Sequence, residues 1–252
     1  MLVKQDDNEF KMNKNIHIFK TPEDLARQFA DQLMSIIEKH SGKKFHVAIS
    51  GGRTPDLLFS ILAEKYANSS FWQKVHFWWV DERMVASDHP ESNFRVANNL
   101  LFTKIAIPEK NIRRIKGEND PETEALSYSA QIQETLPFQD KWPVFDLILL
   151  GMGDDGHTAS IFPDQMRLLD AENICAVATH PQSGQKRVTL TGKVINQAKQ
   201  VVFLVTGENK AERISEIFFK TQKAGDLPAF YIAPLSGNLA WYLDQDAAQK
   251  IS

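Results

Sequence analysis

The chain has 252 residues, a formal net charge of −3, and 42% hydrophobic and 24% charged residues, which is the balance of an ordinary globular protein. The slightly acidic charge argues against a broad nucleic-acid surface, because such a surface needs a clear basic excess. The sequence has no uninterrupted apolar stretch long enough to span a bilayer. We therefore expect neither a nucleic acid nor a membrane as a partner.

The amino-terminal segment is polar and lacks the apolar core of a secretory signal. We expect a flexible leader over residues 1–15, followed by a single domain over residues 16–252. Cys175 is the single cysteine and cannot form an internal disulfide, which favours a reducing, cytoplasmic location. Its apolar neighbours predict a buried strand residue and not a nucleophile.

Predicted helices and strands alternate along the chain. Thr21, followed by Pro22 and two acids, marks a helix start, and apolar residues at helical spacing continue to Gly42. A buried strand over residues 45–49 then enters a glycine turn, and a second helix follows over residues 55–66. Further helices are predicted over residues 93–101, 121–136 and 210–219, and further strands over residues 76–80, 145–150, 174–178, 188–190, 201–205 and 230–232.

This alternation predicts an α/β fold with a mostly parallel sheet and helices on both faces. Segments rich in glycine and aspartate follow several of the predicted strands. They should therefore lie at the carboxyl edge of the sheet, where open α/β sheets bind their ligands.

One of these segments, Gly151-x-Gly153-x-x-Gly156, has the spacing of a dinucleotide-binding fingerprint. The context does not support that interpretation. Pro163 leaves room for only a short helix, the strand over residues 174–178 ends without an acid for a ribose, and the two aspartates inside the loop would repel a diphosphate. We reject NAD as a cofactor.

A second segment, made of Ser50, Gly51, Gly52, Arg53 and Thr54, is the better phosphate site. Its glycines allow backbone N–H groups to converge, and the following helix adds its positive amino terminus. Arg53 and Thr54 offer a charge and a hydroxyl. The spacing of a P-loop is absent, so no nucleoside triphosphate is implied. The alternative is a tight turn that binds nothing.

His157 follows Gly156 and should lie at the ligand edge of the sheet. Imidazole titrates near neutral pH and suits a general base, and Asp154 or Asp155 can orient the ring. The other six histidines are interpreted as structural or solvated. No group of histidine, cysteine and carboxylate residues has metal-ligand spacing, so we expect no metal.

Asp81 and Arg83 follow an aromatic strand at the same predicted edge. A guanidinium can bind phosphate or carboxylate through two parallel hydrogen bonds. Charges of a solvated loop are the alternative interpretation.

Several long motifs together resemble the 6-phosphogluconolactonase family, and the resemblance runs from about residue 16 to the end of the chain. One residue departs from it: Arg53 stands where the family usually has serine. The motifs are SGGRTP at 50–55, WWVDERMVASDHPESN at 78–93, GMGDDGHTASIFP at 151–163, RVTLTGKVIN at 187–196 and FLVTGENKA at 203–211.

The resemblance implies a single three-layer α/β domain, shared with glucosamine-6-phosphate deaminases and ribose-5-phosphate isomerases. It implies hydrolysis of a phosphosugar lactone, 6-phospho-D-glucono-1,5-lactone, to 6-phosphogluconate in the pentose phosphate pathway, without a cofactor. We expect a monomer or a small homo-oligomer.

The resemblance also assigns roles to residues. His157 is the base that activates water, with Asp155 beside it. Arg83 and Lys210 hold the sugar phosphate next to the Ser50–Thr54 turn. Because an acidic protein must bind a phosphate through a local positive cluster, we add Arg187 and Arg53 as weaker candidates for the same task. Asp81 orients water, His157 or a sugar hydroxyl. Opening an ester also needs an oxyanion stabiliser, and the backbone of residues 156–158, starting at Gly156, and Arg83 are alternative donors for it.

Two other functions compete with this interpretation. Aminosugar-phosphate deaminases share the glycine motifs, but they typically carry a glutamate five residues after the histidine, where this chain has Phe162, and a tyrosine in place of Arg83. A sugar-phosphate sensor that regulates transcription needs a DNA-reading module. The segment before Pro22 is too short for one, so we do not expect a regulator of this kind. A free-standing sugar-phosphate binding module is the remaining alternative, in which His157 and Arg83 would have no purpose.

Overall fold

Seven parallel strands form the central sheet of the protein. The structure, a computed structural model, describes residues 15–252, so the predicted leader lies outside the described residues except for Asn15. The strands are β1 (Ile16–Phe19), β2 (Phe45–Ile49), β3 (Val75–Trp79), β4 (Asp81–Arg83), β5 (Ile112–Arg113), β6 (Phe138–Gln139), β7 (Trp142–Pro143), β8 (Leu147–Leu150), β9 (Cys175–Thr179), β10 (Lys186–Leu190), β11 (Val201–Val205) and β12 (Leu239–Asp244).

The helices cover the sheet and connect its strands. They are α1 (Pro22–Lys39), α2 (Arg53–Tyr66), α3 (Asn93–Leu100), α4 (Pro121–Thr135), α5 (Gly192–Asn196), α6 (Ala211–Phe218) and α7 (Gln245–Ala248). Strands β2, β3, β8 and β11 are buried along their whole length, so both faces of the sheet are covered. The predicted α/β fold with a mostly parallel sheet is confirmed. None of the described helices is long and apolar enough to cross a membrane.

The strand order of the large sheet, β1-β12-β11-β8-β2-β3-β5, places a switch in chain direction at its centre. From β2 the chain moves outward through β3 and β5 to one edge. It then returns to β8, on the other side of β2, and continues outward through β11 and β12. In such sheets a crevice opens where neighbouring connections leave in opposite directions, at the carboxyl ends of the two strands. Here those strands are β2 and β8.

The amino termini of the first two helices follow from local sequence. The hydroxyl of Thr21 accepts a hydrogen bond from the Asp24 N–H at 3.1 Å, and Pro22 occupies the first turn of α1, as predicted. Helix α2 starts at Arg53, two residues before the predicted start. Gly52 adopts φ +118°, a backbone conformation that glycine reaches readily. The helix can therefore begin at the next residue.

One predicted strand is wrong. Residues 228–231 form a short 3₁₀ helix instead, because Pro228 has no N–H to donate to a sheet and the Ala229 N–H donates to the Gly156 carbonyl at 3.0 Å. The last strand of the sheet is β12, which the sequence analysis missed.

A second, antiparallel sheet has the order β4-β10-β9. The Asp81–Arg83 segment is its short strand β4, whereas the sequence predicted only that these residues follow the aromatic strand at the ligand edge. Arg187 on β10 pairs in register with Arg83 on β4. The small sheet therefore brings Asp81, Arg83 and Arg187 to the carboxyl ends of β2 and β8.

Candidate active site

A pocket of about 240 Å³ lies at the carboxyl ends of the central strands. Ten of the twelve predicted site residues line it, and the remaining two, Asp155 and Gly156, lie in the loop behind His157. The ten are Ser50, Gly51, Gly52, Arg53, Thr54, Asp81, Arg83, His157, Arg187 and Lys210.

The Ser50–Thr54 turn forms one wall. Ser50 is fixed by a hydrogen bond from its hydroxyl to the Leu149 carbonyl at 2.9 Å, which joins the ends of β2 and β8. A Cβ at Gly51 would overlap the side chain of Asn93, so only glycine fits there. Within the described residues no side chain caps α2, and its first N–H groups remain available to an anion.

His157 is held by the neighbouring carboxylate. Its Nδ1 lies 2.6 Å from Oδ1 of Asp155, and its backbone N–H donates to the same oxygen at 3.1 Å. Burial raises the pKa of Asp155, but the hydrogen bonds and charge of His157 outweigh it and lower that pKa to about 2. Asp155 is therefore ionised at neutral pH and accepts the proton of Nδ1. The lone pair of the imidazole is then on Nε2.

Gly153 leaves the room that this pair needs. A Cβ at Gly153 would overlap Nδ1 of His157 and press against Oδ1 of Asp155. The glycine spacing that imitates a dinucleotide fingerprint thus has another purpose here. It lets the loop fold tightly against the imidazole.

The two aspartates of the loop have separate tasks. Asp154 does not contact His157: its side chain pairs with Lys210 and accepts a hydrogen bond from Asn209 at 2.7 Å. The hydrogen bond from Lys210 lowers the pKa of Asp154. Asp154 therefore links the histidine loop to the segment that follows β11.

Four cationic side chains line the pocket, against the single carboxylate of Asp81. Arg53 is exposed, and among residues 15–252 the structure gives it no ion-pair partner. Arg83 donates from Nη1 to the Glu91 carbonyl at 2.8 Å. The Lys210 side chain is only 14% exposed. This local positive charge in an acidic protein suits an anionic ligand.

Asp81 lines the pocket and is buried. Its carbonyl accepts a hydrogen bond from the Asn93 side chain at 3.0 Å. Glu82, the acid next to it, does not line the pocket. The Glu82 carboxylate accepts the backbone N–H groups of Asn93 and Phe94, each at 2.8 Å, and so anchors the start of α3.

Comparison with known proteins gives the family. The model of the glucosamine-6-phosphate isomerases/6-phosphogluconolactonase family matches residues 20–241. The chain belongs to this family. Among its relatives, the 6-phosphogluconolactonase of Aggregatibacter actinomycetemcomitans is 42% identical over 94% of this chain and 100% of its own length. The 6-phosphogluconolactonase of Haemophilus influenzae is 46% identical over 82% of this chain and 87% of its own length.

A solved structure of 6-phosphogluconolactonase from Trypanosoma brucei has the same fold. It superimposes with a TM-score of 0.83 at 27% identity, covering 95% of this chain and 99% of that one. The resemblance noted in the sequence motifs is thus confirmed at the level of the family.

Two of the three backbone N–H groups expected as oxyanion donors, those of Gly156 and His157, are already engaged. The Gly156 N–H donates to the Gly153 carbonyl at 3.1 Å, and the His157 N–H donates to Asp155. Gly156 itself adopts φ +80° and packs against Leu227. It shapes the loop and does not line the pocket, so the Thr158 N–H and Arg83 remain as the candidate oxyanion donors.

Three polar residues were not predicted: Asn93 and Thr206, which line the pocket, and Ser160, which is buried behind it. Thr206 lies at the end of β11, where its hydroxyl is 2.8 Å from that of Thr54, so it closes the crevice from the other side. All three lie inside the sequence motifs that resemble the family, at 78–93, 151–163 and 203–211. The motif marks each of these polar side chains, but only the order of the strands shows where in the fold the side chain lies.

Proposed function

We propose that this protein hydrolyses 6-phospho-D-glucono-1,5-lactone to 6-phospho-D-gluconate, a step of the oxidative pentose phosphate pathway. The observation that carries the proposal is the His157–Asp155 pair, which faces a pocket lined by cations. The lactonase relatives, which match over most of the chain, support the same substrate.

His157 acts as the general base. Because Asp155 accepts the proton on Nδ1, Nε2 is free to take a proton from water as the water oxygen attacks C1 of the lactone. The bond between C1 and the ring oxygen then breaks, and the proton passes from His157 to that oxygen. The products are a carboxylic acid and a hydroxyl group, so one water is consumed. No electron transfer is required.

The cations bind the substrate and its developing charge. Lys210, the N–H groups at the start of α2, and Arg53 surround the part of the pocket that suits a phosphate. Arg83 and Arg187 lie together on the small sheet, near Asp81. In our proposal they serve the sugar and its C1 end, where an oxyanion develops during attack.

An aminosugar-phosphate deaminase is the second function to exclude. The position of the glutamate typical of those enzymes is taken by Phe162, which is fully buried with its ring centroid 4.8 Å from that of His157. An apolar ring at this place offers no acid for ring opening of an aminosugar. This observation favours the lactonase.

One assay separates the two functions. Acid release from 6-phosphogluconolactone is followed with a pH indicator, and the spontaneous rate is subtracted. Ammonia release from glucosamine 6-phosphate is measured with the same protein. We expect rapid acid release and no ammonia. The reverse result would replace the lactonase by the deaminase. A cytoplasmic location and a monomeric or small homo-oligomeric state remain predictions.

A further inference from the structure

Ser160 is a buried serine three residues after His157, with no exposed surface. Its hydroxyl donates to Oδ2 of Asp81 at 2.6 Å and accepts a hydrogen bond from Nη1 of Arg187 at 3.4 Å. A single hydroxyl thus joins a carboxylate on β4 to a guanidinium on β10. Both of these charged groups line the pocket.

The hydroxyl bridges an ion pair that has no direct hydrogen bond. Oδ2 of Asp81 and Nη1 of Arg187 are 3.8 Å apart, within ion-pair distance but too far for a direct hydrogen bond. An arginine that closes on a carboxylate usually engages both oxygens through two parallel hydrogen bonds. With Ser160 in between, only Oδ2 is engaged. Within the described chain, Oδ1 of Asp81 and Nε of Arg187 have no hydrogen-bond partner.

The backbone fixes Ser160 in this place. Ala159 adopts φ +51°, a conformation that residues other than glycine rarely use. The Ser160 N–H donates to the Thr189 hydroxyl on β10 at 3.1 Å. The histidine loop is therefore tied to the strand that carries Arg187, and the position of the Ser160 hydroxyl is set by two elements.

We propose that Ser160 is a positioning residue, which keeps the Asp81–Arg187 ion pair open and prevents it from closing into a direct, two-pronged hydrogen bond. Asp81 then presents Oδ1 as an acceptor, and Arg187 presents its guanidinium as a donor, to the hydroxyl and ring oxygens of the substrate. The proposal rests on the proposed function, because it assigns these two groups to a sugar lactone.

The test is a double-mutant cycle of Ser160→Ala and Asp81→Asn. Ser160→Ala lets Arg187 close on Asp81, and we expect kcat/KM for 6-phosphogluconolactone to fall about 10- to 100-fold, the loss of one hydrogen bond to a charged group. In the Asp81→Asn background, Ser160→Ala should change kcat/KM by less than about threefold, because Ser160 acts through Asp81.

Ser129→Ala is the matched control. Ser129 lies on α4 outside the pocket, donates to the Ala125 carbonyl at 2.7 Å and accepts the Cys175 N–H at 3.1 Å. Its loss should lower the melting temperature while kcat/KM stays within about twofold. If Ser160 had a purely structural role, Ser160→Ala would likewise lower the melting temperature and leave kcat/KM within about twofold. Melting curves are recorded for every variant.

Ser160→Cys covers the case in which the alanine variant does not fold, since a thiol fills the space but is a weak donor. It should lose at least about fivefold in kcat/KM. The proposal is overturned if the folded Ser160 variants stay within twofold of the native enzyme, or if the losses of Ser160→Ala and Asp81→Asn multiply in full. Failure of the native protein to open the lactone would instead refute the proposed function itself.

Discussion

Replacing Asp155 with asparagine should slow catalysis while leaving substrate binding in place. The carboxylate that fixes Nδ1 of His157 at 2.6 Å becomes a neutral amide. This amide can also donate to Nδ1, which would place the imidazole proton on Nε2 and remove the base. The fold should survive, because the Asp155 side chain is 37% exposed.

The magnitude follows from the pair itself. Burial raises the pKa of Asp155, yet His157 brings it down to about 2. A lowering of that size is worth about 2 kcal/mol, and solvent screening at this partly exposed side chain reduces it to about 1–2 kcal/mol. A further loss comes from those enzyme molecules whose imidazole carries its proton on Nε2. Taking both effects together, we expect kcat to fall about 10- to 100-fold.

The assay is the initial rate of acid release from 6-phosphogluconolactone over a range of concentrations, with the spontaneous rate subtracted. Asp154→Asn is the control, since it removes the same charge from the same loop but contacts Lys210 and not His157. Its kcat should stay within about threefold, with any change confined to KM. An Asp155→Asn enzyme with more than half the native kcat, or an equal loss in Asp154→Asn, would refute the assigned role of Asp155.

Three further predictions concern phosphate, the loop and pH. Lys210→Ala should reduce kcat/KM for the phosphorylated lactone by about 10- to 100-fold and hardly affect plain glucono-1,5-lactone; equal losses would show that Lys210 does not bind the phosphate. Gly153→Ala should abolish most of kcat in a folded protein, because its Cβ would displace His157; an active variant would contradict this. Burial lowers the pKa of His46 and of His76 to about 4. Both stay neutral in the fold, so the free energy of unfolding by urea should fall as pH drops from about 6.5 towards 4; a flat profile would contradict it.

The sequence predicted most of the elements because their signals are local. The Thr21–Pro22 helix start and the apolar strand over residues 45–49 are decided by neighbouring side chains, and both are confirmed. The 230–232 strand failed because aromatic residues there suggested a strand, whereas Pro228 and the contact with Gly156 produced a 3₁₀ helix. Strand β12 was missed. It lies between β1 and β11 in the sheet, and its pairing with β1 joins two distant parts of the chain that no local sequence signal connects.

The sequence predicted that Asp155 lies beside His157, but it gave no partner to Asp154. The loop conformation supplies that partner, because the Asp154 side chain pairs with Lys210 while Asp155 contacts His157. The role of Ser160 could not be predicted for a similar reason. Its partners, Asp81 and Arg187, come from the small antiparallel sheet, whose pairing depends on the whole fold.

The most direct test of the central claim is kcat of His157→Gln on 6-phosphogluconolactone, measured by acid release with the spontaneous opening subtracted. Glutamine keeps a polar side chain of similar length but cannot take a proton from water. We predict that kcat falls about 10²- to 10⁴-fold, while the variant keeps its melting transition and still binds 6-phosphogluconate in calorimetry. A folded His157→Gln enzyme that opens the lactone at close to the native rate would contradict the account.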